Sequence, residues 1–166
     1  MQFYLVRHAQ PDFTAGGTYH LPPGPPLSDT GREQAAAVAR LLAPCTITRV
    51  VSSPLRRCLM TAEPICARLG LDLQVDPDLG EQQPGEVLSS VAVRMVRAVL
   101  NQSEVPAVAF VSHAGPLEQL LGALVQERLV LPPPDPWGCR LAVASVWHVQ
   151  RREGRWQARS LAPAAA

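Results

Sequence analysis

The chain has 166 residues and a formal net charge of +1 at pH 7. That length is enough to bury the core of one domain, and that charge is too small to draw nucleic acid or an anionic membrane. All 15 basic residues are arginine, which excludes Schiff-base chemistry and a P-loop lysine and leaves planar forks suited to gripping phosphate or carboxylate at two points.

The four cysteines, Cys45, Cys58, Cys66 and Cys139, form no C-x-x-C pair, which argues against a disulfide framework or a zinc site. No apolar run approaches the ~18 residues of a membrane span. The first apolar run is too short for a signal peptide and no basic residue precedes it, so a reducing cytoplasm is the expected compartment. Proline is frequent, 17 residues, and falls mostly in two loops, which it stiffens.

Phe3, Tyr4, Leu5 and Val6 are β-prone and read as a short buried strand. It ends in Arg7-His8, costly groups to place at the end of a buried strand unless something uses them. Residues 11–27 form a Gly- and Pro-rich loop. Ser28, Asp29 or Thr30 then caps a helix whose buried stripe is Ala35, Val38, Leu41 and Leu42 and which Pro44 ends.

Ile47 to Ser52 is the second strand. Ser53 before Pro54 reads as an N-cap with proline at N1. The stripe Leu55, Leu59, Ala62, Cys66 and Leu69 predicts a helix stopped by Gly70. Arg56 and Arg57 fall in its first turn, where a cation opposes the helix dipole and a bound anion would reverse the sign. Leu71 to Val75 is a third strand, and residues 76–86 (DPDLGEQQPGE) are an acidic loop. Val87 to Leu100 is a helix striped by Leu88, Val91, Met95 and Val99. Ala107 to Ser112, apolar almost throughout, reads as a central parallel strand. His113-Ala114-Gly115 follows, and Pro116 opens a helix striped by Leu117, Leu120, Leu121 and Leu124. After the proline loop 132–136, Arg140 to Gln150 and Arg155 to Leu161 predict an antiparallel hairpin at a sheet edge, turning at Glu153-Gly154. No repeat or linker interrupts the chain, so residues 1–166 read as a single domain with a frayed tail at 162–166.

Alternating strands and helices predict an α/β fold, three layers around a mostly parallel sheet with an antiparallel edge. Ligands in such sheets bind beyond the carboxyl ends of the strands. Three strands end in Arg7-His8, in Ser52-Ser53 with Arg57 following, and in His113. Parallel strands bring those ends to one rim, where two imidazoles and two guanidiniums suit a tetrahedral dianion such as a phosphoryl group. His20, in a loop, and His148, in a terminal strand, gain nothing from this convergence. The loop carboxylates show no ligand spacing with His8 and His113, so neither a metal site nor another cofactor is expected.

The motifs also follow a known family in order. Leu5-Val6-Arg7-His8-Ala9 resembles the Arg-His-Gly signature of the histidine phosphatase superfamily, with Ala9 for the glycine. Leu27-Ser28-Asp29-Thr30-Gly31 with Gln34-Ala35 resembles its Leu-Thr-x-x-Gly-x-x-Gln-Ala motif. Ser52-Ser53-Pro54-Leu55-Arg56-Arg57 with Thr61-Ala62 resembles its second-arginine helix. Leu79-Gly80-Glu81 with Gly85-Glu86 resembles its acid loop, and Val111-Ser112-His113-Ala114-Gly115 its second-histidine motif. Together these cover residues 1–125.

The resemblance implies that His8 is a nucleophile forming a phosphohistidine, that Arg7, Arg57 and His113 hold the phosphoryl oxygens, and that Glu81 is the general acid and base, with Glu86 as the alternative. Gln10 and Ser53 are candidate donors to phosphate or substrate. Ala9 and Ala114 replace family glycines, and Asp12 stands where a neutral group would suit an anion better. The interval 82–112 lacks the longer insertion that covers the substrate in mutase-like members, which predicts an open, shallow pocket and favours hydrolysis over phosphoryl return. The expected partner is a phosphorylated small molecule or a phosphohistidine protein. The alternatives are a phosphoglycerate mutase and a phosphate-binding regulatory protein without turnover.

Overall fold

Gln2–Arg7 (β1), Arg49–Ser52 (β2), Leu73–Val75 (β3), Ala107–Ser112 (β4), Val146–Arg152 (β5) and Arg155–Ala162 (β6) form one sheet in the order β3-β2-β4-β1-β5-β6. The computed structural model describes residues 1–125 and 131–162. Strands β1 to β4 run parallel to one another, and the β5–β6 hairpin joins β1 antiparallel. The expected sheet with its antiparallel edge is therefore present. Glu153 and Gly154 both have positive φ, 50° and 79°, as a tight two-residue hairpin turn requires.

Side chains alternate across the buried strands. Tyr4, Val6, Ala109 and Val111 face one apolar cluster, which includes Val38, Leu42, Ala62 and Ile65 of helices Asp29–Leu42 (α1) and Arg56–Leu69 (α2). Phe3, Leu5, Val108 and Phe110 face the other, which includes Val91, Met95, Leu117 and Leu121 of helices Leu88–Leu100 (α3) and Ala114–Leu124 (α4). The sheet is thus covered on both faces, the condition under which strands such as β4 are apolar throughout.

Ser28 is the residue that caps α1, its hydroxyl accepting from the Gly31 N–H. Other boundaries differ from those the sequence predicts. Helix α2 begins at Arg56 rather than at Pro54, with Leu55 at its N-cap and no side-chain cap. The Arg56 N–H finds its acceptor in the loop instead, at the Pro23 carbonyl 2.7 Å away. The buried stripe of α2 is accordingly Cys58, Ala62, Ile65 and Cys66, with Leu59 only half-buried. Helix α4 begins at Ala114, two residues before Pro116. A proline is tolerated there because the first-turn N–H groups of a helix have no intrahelical partner. Leu88 is 53% exposed rather than part of the α3 stripe, and Ala98 takes that face. Residues 140–145 are irregular, so β5 is shorter than predicted. Ala162 lies in β6, and the rest of the expected frayed tail, 163–166, lies outside the described residues.

Candidate active site

Strands β2, β4 and β1 are neighbours, so their carboxyl ends form one rim. Backbone bonds stitch that rim together. The His8 N–H donates to the Ser112 carbonyl (2.9 Å) and the Ser53 N–H to the Val111 carbonyl (2.9 Å). The Ala9 N–H donates to Thr61 Oγ1 (3.0 Å), whose hydroxyl donates on to the Arg57 carbonyl (2.7 Å). One turn of α2 thereby ties the end of β1 to the carbonyl of Arg57.

His8 and His113 face each other with ring centroids 5.2 Å apart. A carbonyl only accepts, so His8 Nδ1, 2.8 Å from the Ala9 oxygen, carries the ring proton and leaves Nε2 with its lone pair. Burial, reinforced by the nearby Arg57 and Arg7 charges, holds the His8 pKa well below the ordinary histidine range. The neutral form of the ring is thereby favoured, with Nε2 unprotonated.

Arg57 is fully buried. One terminal nitrogen donates to the Tyr19 carbonyl (2.9 Å), and the other lies 3.1 Å from His113 Nδ1 and 3.4 Å from Glu81 Oε2. The Tyr19 ring covers its guanidinium at 3.9 Å. Because Arg57 donates to Nδ1, the His113 proton sits on Nε2, which donates to Ser53 Oγ (2.9 Å). Burial, with the His8 and Arg57 sites beside it, lowers the His113 pKa well below its ordinary value. Arg7 reaches the Leu141 carbonyl, with Asp135 Oδ2 at 4.0 Å. The Nε–H groups of Arg7 and Arg57 are both buried without an acceptor in the protein. Leaving such charge-bearing donors dry is costly, and an oxyanion supplies the acceptors they lack.

The structure therefore brings His8, Arg7, Arg57, His113 and Glu81 together. It separates the two candidate acids. Glu86 is bound by Arg94 at 2.7 and 3.1 Å, which depresses its pKa and makes it a poor proton donor. Glu81, in contrast, presents Oε2 to the cluster at 3.4 Å. Ser53 is fully buried behind His113, where its Oγ accepts from that ring and from the Leu55 N–H and so orients the imidazole. Gln10 is exposed, and its backbone, not its side chain, makes the bonds, to Gln34 and Ser28. The Asp12 carboxylate is occupied locally, accepting from Thr14 N and Oγ1.

The chemistry-bearing side chains are deeply set. His8 is 1% exposed, and Arg57 and His113 are 0% exposed. Cover over Arg57 comes from the Gly- and Pro-rich loop that follows β1, where the Tyr19 carbonyl binds its guanidinium and Gly24 lies against its side chain. His20 joins this cover to the acid loop through Gln82 and Gln83 (3.1 and 2.9 Å), so it is not the idle loop residue predicted. His148 stacks on Tyr4 (4.8 Å) and bonds Gln2 Oε1, the structural part read from sequence. Tyr19, Thr61 and Arg94 carried no such signal. The cation–π contact, the bond across β1 and α2, and the grip on the acid loop all join residues distant in sequence. Among the described residues no group of three or more His, Cys, Asp or Glu is placed to hold a metal ion, and no helix is long and apolar enough to cross a membrane.

Residues 3–90 match the sequence model of the histidine phosphatase superfamily (branch 1). Glucosyl-3-phosphoglycerate phosphatase of Mycolicibacterium vanbaalenii is 39% identical over 82 residues, 49% of this chain and 36% of that protein. The probable phosphoglycerate mutase GpmB of Photorhabdus laumondii subsp. laumondii is 34% identical over 85 residues, 51% of this chain and 40% of that protein. These matches thus span well under half the length of the curated relatives. The solved structure of a mycobacterial glucosyl-3-phosphoglycerate phosphatase complexed with VO3 superposes with a TM-score of 0.77 at 24% identity, over 96% of this chain and 97% of that one. This last likeness is one of fold.

Proposed function

The chain belongs to the histidine phosphatase superfamily, and we propose that it is a cytoplasmic, metal-independent phosphatase that hydrolyses phosphomonoesters, or a phosphohistidine side chain, through phospho-His8. The observation that carries this is the state of His8: buried, neutral, its Nδ1 proton committed to Ala9, and its other nitrogen free beside two arginines with unmet Nε–H donors. The His8 Nε2 lone pair attacks phosphorus in line and forms the P–N bond as the bond from phosphorus to the leaving oxygen breaks. Glu81, in its protonated form, gives its proton to that oxygen and the alcohol departs. Water then attacks phosphorus, Glu81 takes a proton from it, and the P–N bond breaks to release phosphate and restore His8. The unmet Nε–H groups of Arg7 and Arg57 hold the equatorial oxygens throughout, while His113, its own N–H committed to Ser53, steadies Arg57 through Nδ1. Ser53 orients His113, and Gln10, its side chain exposed, is the candidate contact for the departing group.

A p-nitrophenyl phosphate assay tests this. Turnover that survives EDTA and is abolished in His8→Ala is the expected result. Turnover that persists in His8→Ala, or depends on a metal, refutes it. Phosphate binding without any turnover would instead support a regulatory binding protein. The relative named as a probable mutase favours phosphoglycerate mutation as the second reading. Interconversion of 3- and 2-phosphoglycerate in the presence of a bisphosphorylated primer would establish it over hydrolysis.

A further inference from the structure

The acid loop from Gly80 to Val87 contains no helix or strand, so its shape depends on side-chain bonds. The largest single set converges on one residue of α3. Arg94 Nε donates to Glu86 Oε1 (2.7 Å). Its first terminal nitrogen donates to the Asp78 and Gly80 carbonyls (2.6 and 2.8 Å), and its second to Glu86 Oε2 (3.1 Å) and the Glu81 carbonyl (3.3 Å). A guanidinium has five N–H donors in a fixed plane, and all are spent on this loop. The neighbouring Arg97 grips the same loop only through the Asp78 carboxylate, from an exposed position.

We propose that Arg94 is the positioning residue for the general acid: by curling residues 78–86 around its guanidinium it sets the Glu81 carboxyl against Arg57 and His113. This rests on the role given to Glu81 above. Apart from Arg57 at Oε2 (3.4 Å), the target of that positioning, Glu81 receives two other bonds, Gln82 N–H to its own Oε1 and Gln83 Nε2 to its carbonyl, both from within the loop. Arg94 alone anchors that carbonyl to a helix packed on the sheet. Lysine cannot replace it fully, because an ammonium is a point charge with three donors and cannot span a carboxylate and three carbonyls in one plane.

The test is the dependence of rate on the leaving group. A nitrophenolate departs without proton help, whereas an alkoxide needs the acid, whose contribution is typically about 10²–10⁴-fold. Arg94→Gln is expected to lower kcat/KM about 10–100-fold on a simple alkyl phosphate and less than about threefold on p-nitrophenyl phosphate. Glu81→Gln should show the same steepening, and adding Arg94→Gln to it should cost no more than about twofold further, since residues acting through one another are not additive. Arg94→Lys should give a smaller steepening, and it carries the test if Arg94→Gln does not fold. Arg97→Ala should keep the wild-type dependence. An equal loss on both esters in Arg94→Gln, or full additivity with Glu81→Gln while Glu81→Gln alone remains steep, overturns the proposal and leaves the role of Glu81 standing. Wild-type protein inert toward both esters, or Glu81→Gln unchanged on the alkyl ester, overturns the role of Glu81 and this proposal with it.

Discussion

Gly31→Ala sets two effects of opposite sign against each other. Gly31 lies in the first turn of α1 with an ordinary helical backbone, so alanine on propensity alone would stabilise the helix by up to about 1 kcal/mol. A Cβ at Gly31 would, however, stand 2.1 Å from the Gln10 carbonyl oxygen, 3.1 Å from its carbonyl carbon and 3.2 Å from its nitrogen. An ordinary C···O approach is about 3.3 Å, so one backbone must move by roughly 1 Å. No flexible side-chain tip absorbs the shift, because every one of these atoms is backbone. The same Gln10 carbonyl accepts the Ser28 N–H, and Gln10 follows His8 by two residues. Overpacking of this kind costs about 1–3 kcal/mol, more than the propensity gain, so the net sign is destabilising. A backbone clash this close falls in the upper part of that range, about 2–3 kcal/mol, and less about 1 kcal/mol of propensity it leaves about 1–2 kcal/mol; at about 2–4 °C per kcal/mol for a chain of this size, Tm should fall by about 2–8 °C in a thermal melt followed by circular dichroism. Turnover should fall as well, because the shift passes through Ala9 to His8. An unchanged or higher Tm would refute the steric reasoning, showing that the loop yields freely.

Thr61→Val keeps the shape but strands the buried Ala9 N–H, so it should cost about 1–3 kcal/mol in urea unfolding and lower kcat, because the Ala9 peptide also fixes the His8 tautomer. Ser53→Ala removes the acceptor of His113 Nε2–H at a fully buried position. It should destabilise by about 1–3 kcal/mol and change the His113 imidazole nitrogen shifts measured by NMR. Stability should also depend on pH in a stated direction. The buried His8 and His113 have folded-state pKa values well below 6.5, so below about pH 6.5 the unfolded chain binds protons that the folded chain refuses. Their contribution is complete above that pH and is lost as pH falls, at up to about 1.4 kcal/mol per pH unit for each ring. His8→Ala should flatten this slope in denaturation curves recorded between about pH 6.5 and 5; an unaltered slope would show that His8 is not buried neutral.

Local patterning made a good part of this protein legible. The run of Phe3 to Val6, the apolar Ala107 to Ser112 and the Glu153-Gly154 turn each carry their own signal, because strand burial and turn conformation act through adjacent residues. So did the convergence of Arg7-His8 and His113, since parallel strands must end on one rim. Boundaries were less legible where a distant group supplied the cap. The start of α2 was misread because its first amide is satisfied by Pro23, some thirty residues earlier, whereas Ser53-Pro54 looked locally like an N-terminus.

The arrangement inside the rim was decided by tertiary structure alone. Two serines in a row give no hint that Ser53 Oγ ends behind an imidazole, and two glutamates in one loop look equivalent until Arg94 binds Glu86 and leaves Glu81 free to face Arg57. Likewise nothing local in the loop that follows β1 foretells that the Tyr19 carbonyl and ring close on Arg57. Chemistry-bearing residue types and the strands that deliver them are encoded over a few neighbouring positions. Tautomers, depressed pKa values and the choice of acid depend on burial and on hydrogen-bond partners tens of residues away, which exist only once the sheet and its four helices have closed together.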